Sequence, residues 1–355
     1  MPKNKLVLIA GGTGMVGASL IRKFRCNGYS KIHATYHNRR PNEQDPRLFT
    51  PHKLNTADIS DVEWHQCDHT NQTETSKLLK SLRPYGLIIA AAKVGGIFAN
   101  VTHPAEFIFQ NLAIGTNLIH SAHIWDVEKL LFLGSACIYP ENSIQPIPES
   151  ALLAGPLEPS NEAYAVAKIA GIKLCDAYYK QYNRNYYSLM PNNLYGPGDN
   201  FDLTTSHVLP ALIRKFHEAQ SFNEASVTIW GTGEPRREFL HVDDLASAAN
   251  FCYESVEASD LHNTQIGHIN VGTSRDISIQ DLAIMIQEIV GFEGKIDHDL
   301  GKPDGMKRKL LDSKRILSLG WQPSIPLEAG LRDVCNQYRE AAHSIPSTIK
   351  SSGNF

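Results

Sequence analysis

Short apolar runs and longer stretches of helical spacing alternate through the first half of the chain. KLVLIA (5–10), KIHATY (31–36), VEWHQC (62–67), GLIIAAA (86–92) and KLLFLG (129–134) are rich in aliphatic and β-branched residues, which predicts strands. Between them, MVGASLIRKFRCNG (15–28), TETSKLLKSL (73–82) and PAEFIFQNLAIGTNLIHSAHIW (104–125) repeat apolar residues three and four apart, the helical period. EAYAVAKIAGIKLCDAYYKQY (162–182) and then YYSLMP (186–191) continue the alternation. Strands separated by helices pair in parallel, so the expected fold is α/β, a Rossmann-type doubly wound parallel sheet.

After residue 191 the grain changes. Loops with proline and glycine, LYGPGDNF and WGTGEPRREF, separate shorter elements. The reading is a nucleotide-binding Rossmann domain over 1–191, a smaller mixed α/β substrate-binding domain mainly over 192–340, and a tail at 341–355. LHVDDLASAANFCYES (240–255) has the spacing of another sheet-flanking helix, so a segment near 238–272 is expected to return to the first domain.

Composition narrows the class. With 355 residues, 42% of them hydrophobic, the chain can bury a large core. A formal net charge of −3 provides no basic field for nucleic acid or an anionic membrane, and neither is expected as a partner. Six cysteines with no CxxC pair read as reduced thiols, and no metal site is expected. The first residues lack the apolar core of a secretory signal, and no run reaches the ~20 apolar residues of a membrane span. The expected location is the cytoplasm.

LVLIAGGTGMVGASLI places Gly11, Gly12, Thr13, Gly14, Met15, Val16 and Gly17 between the first strand and the first helix. Such a turn lets backbone N–H groups approach a dinucleotide pyrophosphate at the positive end of a helix. About twenty residues further on, NAD-binding proteins usually offer a carboxylate to the ribose 2′-hydroxyl. Here the segment reads TYHNRRPN, with Arg39 and Arg40. Surface arginines falling in a loop are the competing reading, but two guanidinium groups suit a 2′-phosphate, so NADP(H) is the expected cofactor. Asp68 is open to two readings, an acceptor for the adenine amino group or a helix cap.

YAVAK sets Tyr164 and Lys168 four apart on one helical face, and GSACIYP sets Ser135 at the end of a buried strand. YxxxK alone is common. With the glycine turn and Ser135, it describes carbonyl reduction by hydride. The phenol protonates the developing alkoxide, the ammonium makes the phenol more acidic, and the serine hydrogen-bonds the same oxygen.

These features, with AAKVGGIFAN, LLFLGSACIYP, MPNNLYGPGDNF, SHVLPALIRKFHEA, WGTGEPRREFLHVDDLA and KPDGMKRKLLDSKRILSLGW, resemble the extended short-chain dehydrogenase/reductases. Within that group the chain is similar to the epimerase/reductases that act on GDP-4-keto-6-deoxy-D-mannose. The likeness spans roughly residues 5–30 and 85–335; the connection across 31–75 is longer than in those enzymes.

The resemblance implies a GDP-sugar substrate, inversion at C3 and C5 by Cys137 and His207, and reduction at C4. It also implies contacts from Pro191 and Asn193 beside the cofactor. Asn193, Lys215, Trp230, Arg237 and Lys309 would hold the sugar nucleotide, and a homodimer would form through the helices near 104–125 and 161–183. Asn111 reads as a support that bonds backbone. A synthase working on a 3-deoxy sugar, or a plain 4-keto-sugar reductase, would share most of this site. A non-catalytic nucleotide sensor would not need the Ser135, Tyr164 and Lys168 set.

Overall fold

The computed structural model describes residues 2–41, 61–264, 266–302 and 304–343, so the end of the expected tail and most of the long connection lie outside the described residues. The first half runs β1 (Val7–Ala10), α1 (Met15–Cys26), β2 (Ile32–Tyr36), β3 (Glu63–Gln66), α2 (Gln72–Leu82), β4 (Gly86–Ile89), α3 (Ile97–Thr102), α4 (Pro104–Ile124), β5 (Lys129–Leu133), α5 (Glu162–Tyr182) and β6 (Asn185–Pro191). Every predicted strand and long helix is present, with ends shifted by a few residues. The short helix α3 was not foreseen. Its six residues follow two glycines and carry too little period to read.

The second half runs β7 (Asn193–Tyr195), α6 (Val208–Phe222), β8 (Ser226–Trp230), β9 (Arg236–His241), α7 (Val242–Ser255), α8 (Ala258–His262), β10 (His268–Val271), β11 (Asp276–Ser278), α9 (Ile279–Val290), β12 (Lys295–Asp299), β13 (Arg308–Lys309), α10 (Lys314–Ser318) and α11 (Leu327–His343). The large sheet has seven strands in the order β10-β6-β5-β4-β1-β2-β3, and every pairing in it is parallel. The succession of strands runs outward in opposite senses from β1 and from β4, and between that pair open α/β sheets leave a crevice at their strand ends.

Two apolar layers cover this sheet. One side buries Leu20, Ile21 and Phe24 of α1 with Leu245, Ala249 and Tyr253 of α7. The other buries Leu118 and Ile119 of α4 with Ile172 and Cys175 of α5. A third core joins α6, α9 and α11 around Phe216, Ile286 and Leu331. Between these bodies lies a small sheet in which β9 is paired by β7, β11 and β13. Among the described residues no helix is long and apolar enough to cross a membrane.

Candidate active site

The glycine turn follows from steric demand. Gly11 has a φ of +86°, and a Cβ there would meet the Ala91 backbone nitrogen at 2.6 Å. A Cβ on Gly17 would stand 2.1 Å from the Gly11 carbonyl oxygen, so only glycine lets α1 start this close to the strand exit. Gly11 and Gly12 donate to Thr35 Oγ1 and the Thr35 carbonyl at 3.0 and 2.9 Å, tying the turn to β2. Gly14 caps α1 without any side-chain bond, and no acidic residue stands in the first turn. The N-terminal amides of α1 therefore face the crevice with their positive dipole uncompensated, which suits a pyrophosphate.

Arg39 and Arg40 are exposed just past β2. Asp68 is not the cap of α2. Asn71 Oδ1 caps that helix by accepting from the Thr73 and Glu74 amides at 3.0 and 3.2 Å. Asp68 instead accepts from the Thr70 amide and hydroxyl at 2.9 and 2.7 Å.

At the end of β5 the chain turns sharply. A Cβ on Gly134 would press on the end of the Met190 side chain, 2.4 Å from Sδ, and the Gly134 amide donates to the Leu189 carbonyl at 2.9 Å. Ser135 then caps the short turn Ala136–Ile138, its oxygen facing the Cys137 amide at 3.5 Å. Helix α5 lies over this turn because Gly171 admits the Phe132 ring. Lys168 Nζ donates to the Leu133 carbonyl at 2.8 Å and sits 5.6 Å from the centre of the Tyr164 ring. Spacing on one helix, a bond to the strand exit and the turn beyond it thus bring Ser135, Cys137, Tyr164 and Lys168 together.

His207 reaches the same cleft from the other side, as the residue before α6. Its imidazole makes no cap bond to the helix, which leaves it for other contacts. A chain of bonds sets its place. Asn111 is buried, accepts from the Lys93 amide at 3.0 Å, and donates to the Lys93 and Phe107 carbonyls at 3.0 and 2.8 Å. The loop it holds runs to Gly96, whose amide donates to the Thr205 carbonyl at 2.9 Å. Phe107 meets the Tyr164 ring edge-on at 6.4 Å.

Burial dominates the electrostatics. It pushes the Cys137 thiol up, against Lys309, Ser135 and Lys168. It raises the Tyr164 phenol well above its usual value, with the Cys137 sulfur adding to the rise. It brings Lys168 down to about 8. His207 is wetted at the cleft mouth yet walled by protein, so desolvation lowers its pKa and Lys309 lowers it further. The expected acidification of the phenol by the neighbouring ammonium is therefore outweighed in this site, and the thiol is raised as well. Both groups stand protonated, a state in which each can donate.

Lys309 is the common electrostatic neighbour of Cys137 and His207, and Arg237 is a neighbour of Lys309. Arg237 donates to the Arg236 and Met306 carbonyls at 2.9 and 2.6 Å, so its guanidinium is fixed in place. Pro191 is buried at the end of β6, and Asn193 Nδ2 donates to the Glu238 carbonyl at 2.9 Å. Trp230 is half exposed on the rim, with the Lys215 and Lys302 ammonium groups 6.0 and 5.3 Å from its ring. Lys215 also donates to the Thr228 carbonyl at 2.9 Å.

Sequence reasoning passed over Lys302, Glu158 and Glu238, which neighbour the expected contacts. Only Glu238 left a trace, as an acidic residue inside the otherwise apolar EFL of a strand. On β2 and β3, His33, Glu63 and His65 bring metal-ligand types within 4.8 Å of one another. The chemistry of the cleft does not use them.

A glycine turn at a parallel sheet's switch point, beside a serine, a tyrosine and a lysine, defines a nicotinamide-dependent reductase of the short-chain type. Residues 7–272 match the NAD dependent epimerase/dehydratase family, and the chain belongs to it. It is 48% identical over 336 residues to the GDP-L-fucose synthase of Escherichia coli (strain K12), covering 94% of this chain and 96% of that one. The GDP-L-fucose synthase 1 of Arabidopsis thaliana is 45% identical over 343 residues, with 94% and 96% covered. Among solved structures, the GDP-mannoheptose C4 reductase MlghC from Campylobacter jejuni with NADP bound superposes with a TM-score of 0.79 at 34% identity, covering 96% of this chain and 99% of that one.

Proposed function

We propose that this protein converts GDP-4-keto-6-deoxy-D-mannose to GDP-L-fucose, by epimerisation at C3 and C5 followed by NADPH-dependent reduction at C4. The observation that carries the reading is the convergence of two further proton-transfer groups, Cys137 and His207, on the reductase residues, with Lys309 as their shared electrostatic neighbour. A plain reductase has no use for such a pair. Relatives named GDP-L-fucose synthase at 45–48% identity support the substrate.

The chemistry follows from the ketone. Protons on C3 and C5 are acidic because the C4 carbonyl takes up the charge as an enolate. One member of the Cys137/His207 pair removes the proton and the other returns one on the opposite face. Lys309 offsets the cost of a thiolate in this buried place. The C4 oxygen lies with Ser135 and Tyr164 in both stages. They steady the enolate first; in reduction Tyr164 gives its proton to the alkoxide and Lys168 stabilises the phenolate left behind. When bound, NADPH supplies the hydride.

In this reading residues 1–191 with the returning stretch 238–272 hold the cofactor, and the remainder of 192–340 covers the sugar nucleotide. Arg39 and Arg40 favour the 2′-phosphate of NADP(H), as does the NADP-bound relative. Arg237 and Lys309 face the diphosphate, Trp230 stacks on the base, and Asn193 and Lys215 complete the contacts. The chain works in the cytoplasm as a homodimer.

The test is to incubate enzyme and GDP-4-keto-6-deoxymannose in D2O without NADPH and follow C3 and C5 by NMR, beside Cys137→Ser. Deuterium entering both carbons, with the rate reduced about 10²-fold or more in the variant, is the expected outcome. NADPH oxidation with no exchange above buffer would make the protein a 4-keto reductase and Cys137 a packing residue.

A further inference from the structure

Glu238 follows Arg237 on β9 and points the opposite way, into the protein, where it is fully buried. Its two carboxylate oxygens meet donors and no acceptor. Oε1 accepts from the Ser274 amide at 2.7 Å and faces the Thr273 hydroxyl at 3.3 Å, a hydroxyl also within reach of the Arg275 carbonyl. Oε2 accepts from the Leu311 amide at 3.0 Å and from Asn192 Nδ2. The Asn192 amide cannot be turned round, because its Oδ1 accepts from the Asn193 amide at 3.0 Å. Such a donor set favours an ionised carboxylate with both oxygens in use, against the burial that raises its pKa.

The segments that Glu238 joins are those carrying the substrate contacts. Asn192 leads into Asn193, whose Nδ2 bonds the Glu238 carbonyl. Leu311 lies two residues past Lys309, which pairs with Arg237 in the β13–β9 register. Asn192 Nδ2 also reaches the Lys309 carbonyl at 3.3 Å. Ser274, with a left-handed φ of 59°, and Thr273 belong to the loop leaving β10. A Cβ on Gly272 would stand 2.4 Å from Glu238 Oε1, so the chain passes close to the carboxylate there.

We propose that Glu238 is a positioning residue for the sugar nucleotide, its carboxylate locking Asn193, Arg237 and Lys309 into one register. This rests on the proposed function, in which those three residues hold the GDP-sugar. Glu238 touches no substrate. It acts by fixing the backbone of three separate segments, so that two cations and an amide arrive in place before the ligand does.

Glu238→Gln keeps the volume and replaces one oxygen by an NH2 group. Either orientation turns N–H against N–H, toward Ser274 or toward Leu311 and Asn192. Gly272→Ala is the companion variant; it keeps the charge and crowds Oε1. Each is compared with wild type by GDP titration calorimetry, NADPH titration, thermal melting and steady-state turnover of GDP-4-keto-6-deoxymannose.

The expected result for Glu238→Gln is a rise of about tenfold or more in the GDP Kd and in KM. The fall in kcat should be smaller than the rise in KM, since Lys309 also neighbours Cys137, with NADPH affinity and melting temperature kept. Gly272→Ala should shift the same quantities the same way by less. Wild-type GDP affinity and KM in both variants would overturn the proposal. So would a parallel loss of NADPH affinity, kcat and melting temperature, which marks a residue needed only for folding. A wild type that binds GDP but does not turn over this sugar would sink the functional reading, leaving the GDP affinities to decide the role of Glu238.

Discussion

Lys168 carries a charge the fold makes expensive. It is buried, bonded to the Leu133 carbonyl, and brought down to about 8 from 10.5 by burial. Below pH 8 folded and unfolded chains both hold the proton, and the folded state bears the full cost of the enclosed ammonium. Between about 8 and 10.5 the folded chain releases it first, so the unfolded state binds more protons and stability rises with pH. Lys168→Met removes this dependence. Urea unfolding should show wild type gaining roughly 2–3 kcal/mol on the variant across that window, while the variant loses about 10²-fold or more of its NADPH oxidation. A stability difference that stays flat from pH 8 to 10.5 would show that burial does not destabilise this charge. Ser135, Tyr164 and Lys168 were legible because helix period and strand end set them locally, whereas Cys137 was carried over from the resemblance. Glu238 was not legible, since its donors come from loops near 192, 273 and 311 that only the folded chain assembles.

Helix α6 owes the placement of His207 to a contact with the loop before α3. A Cβ on Gly96 would meet the Ser206 carbonyl oxygen at 2.4 Å, one residue from the imidazole, although the φ of −66° there suits any residue. Gly96→Ala must therefore act by pushing the two segments apart. The expected effect is a fall of about tenfold in deuterium exchange at C3 and C5, with NADPH affinity unchanged because the glycine turn of α1 lies on another strand end. Exchange at the wild-type rate would mean that His207 is held from its own helix alone. This dependence explains why His207 could be carried over only from a resemblance. Its neighbours in sequence, TTS before and VLPAL after, state a helix start and nothing about the cleft. The long helices and buried strands, by contrast, follow from apolar period, which the packed layers on each face of the sheet enforce.

At the scale of the whole molecule, the sheet order was legible as a class and not in its last member. β10 joins beside β6 after an excursion through 192–241 and the packing of α7 on the sheet's face; the helical spacing of 240–255 points to such a return, but no local pattern states the place in the sheet that a four-residue strand such as HINV will take. One consequence of the architecture is left open by a single chain. The outer faces of α4 and α5 expose Phe109 at 66% and Val166 at 38%, and α3 beside them exposes Phe98 at 60%. An exposed apolar face on these two helices, which run parallel as crossovers of a parallel sheet, is covered economically by a second copy, which would make a four-helix bundle about a two-fold axis. Each exposed phenylalanine buried there contributes about 1.5–3 kcal/mol, whereas an aspartate at the same place would have to be desolvated against its symmetry mate. Sedimentation at micromolar concentration should give a dimer for wild type and a monomer for Phe109→Asp. The monomer should still bind NADPH, because α1 and its glycine turn pack on the opposite face of the sheet from α4 and α5. A wild type that sediments as a monomer would remove the homodimer from the proposed function and leave the apolar face without its partner.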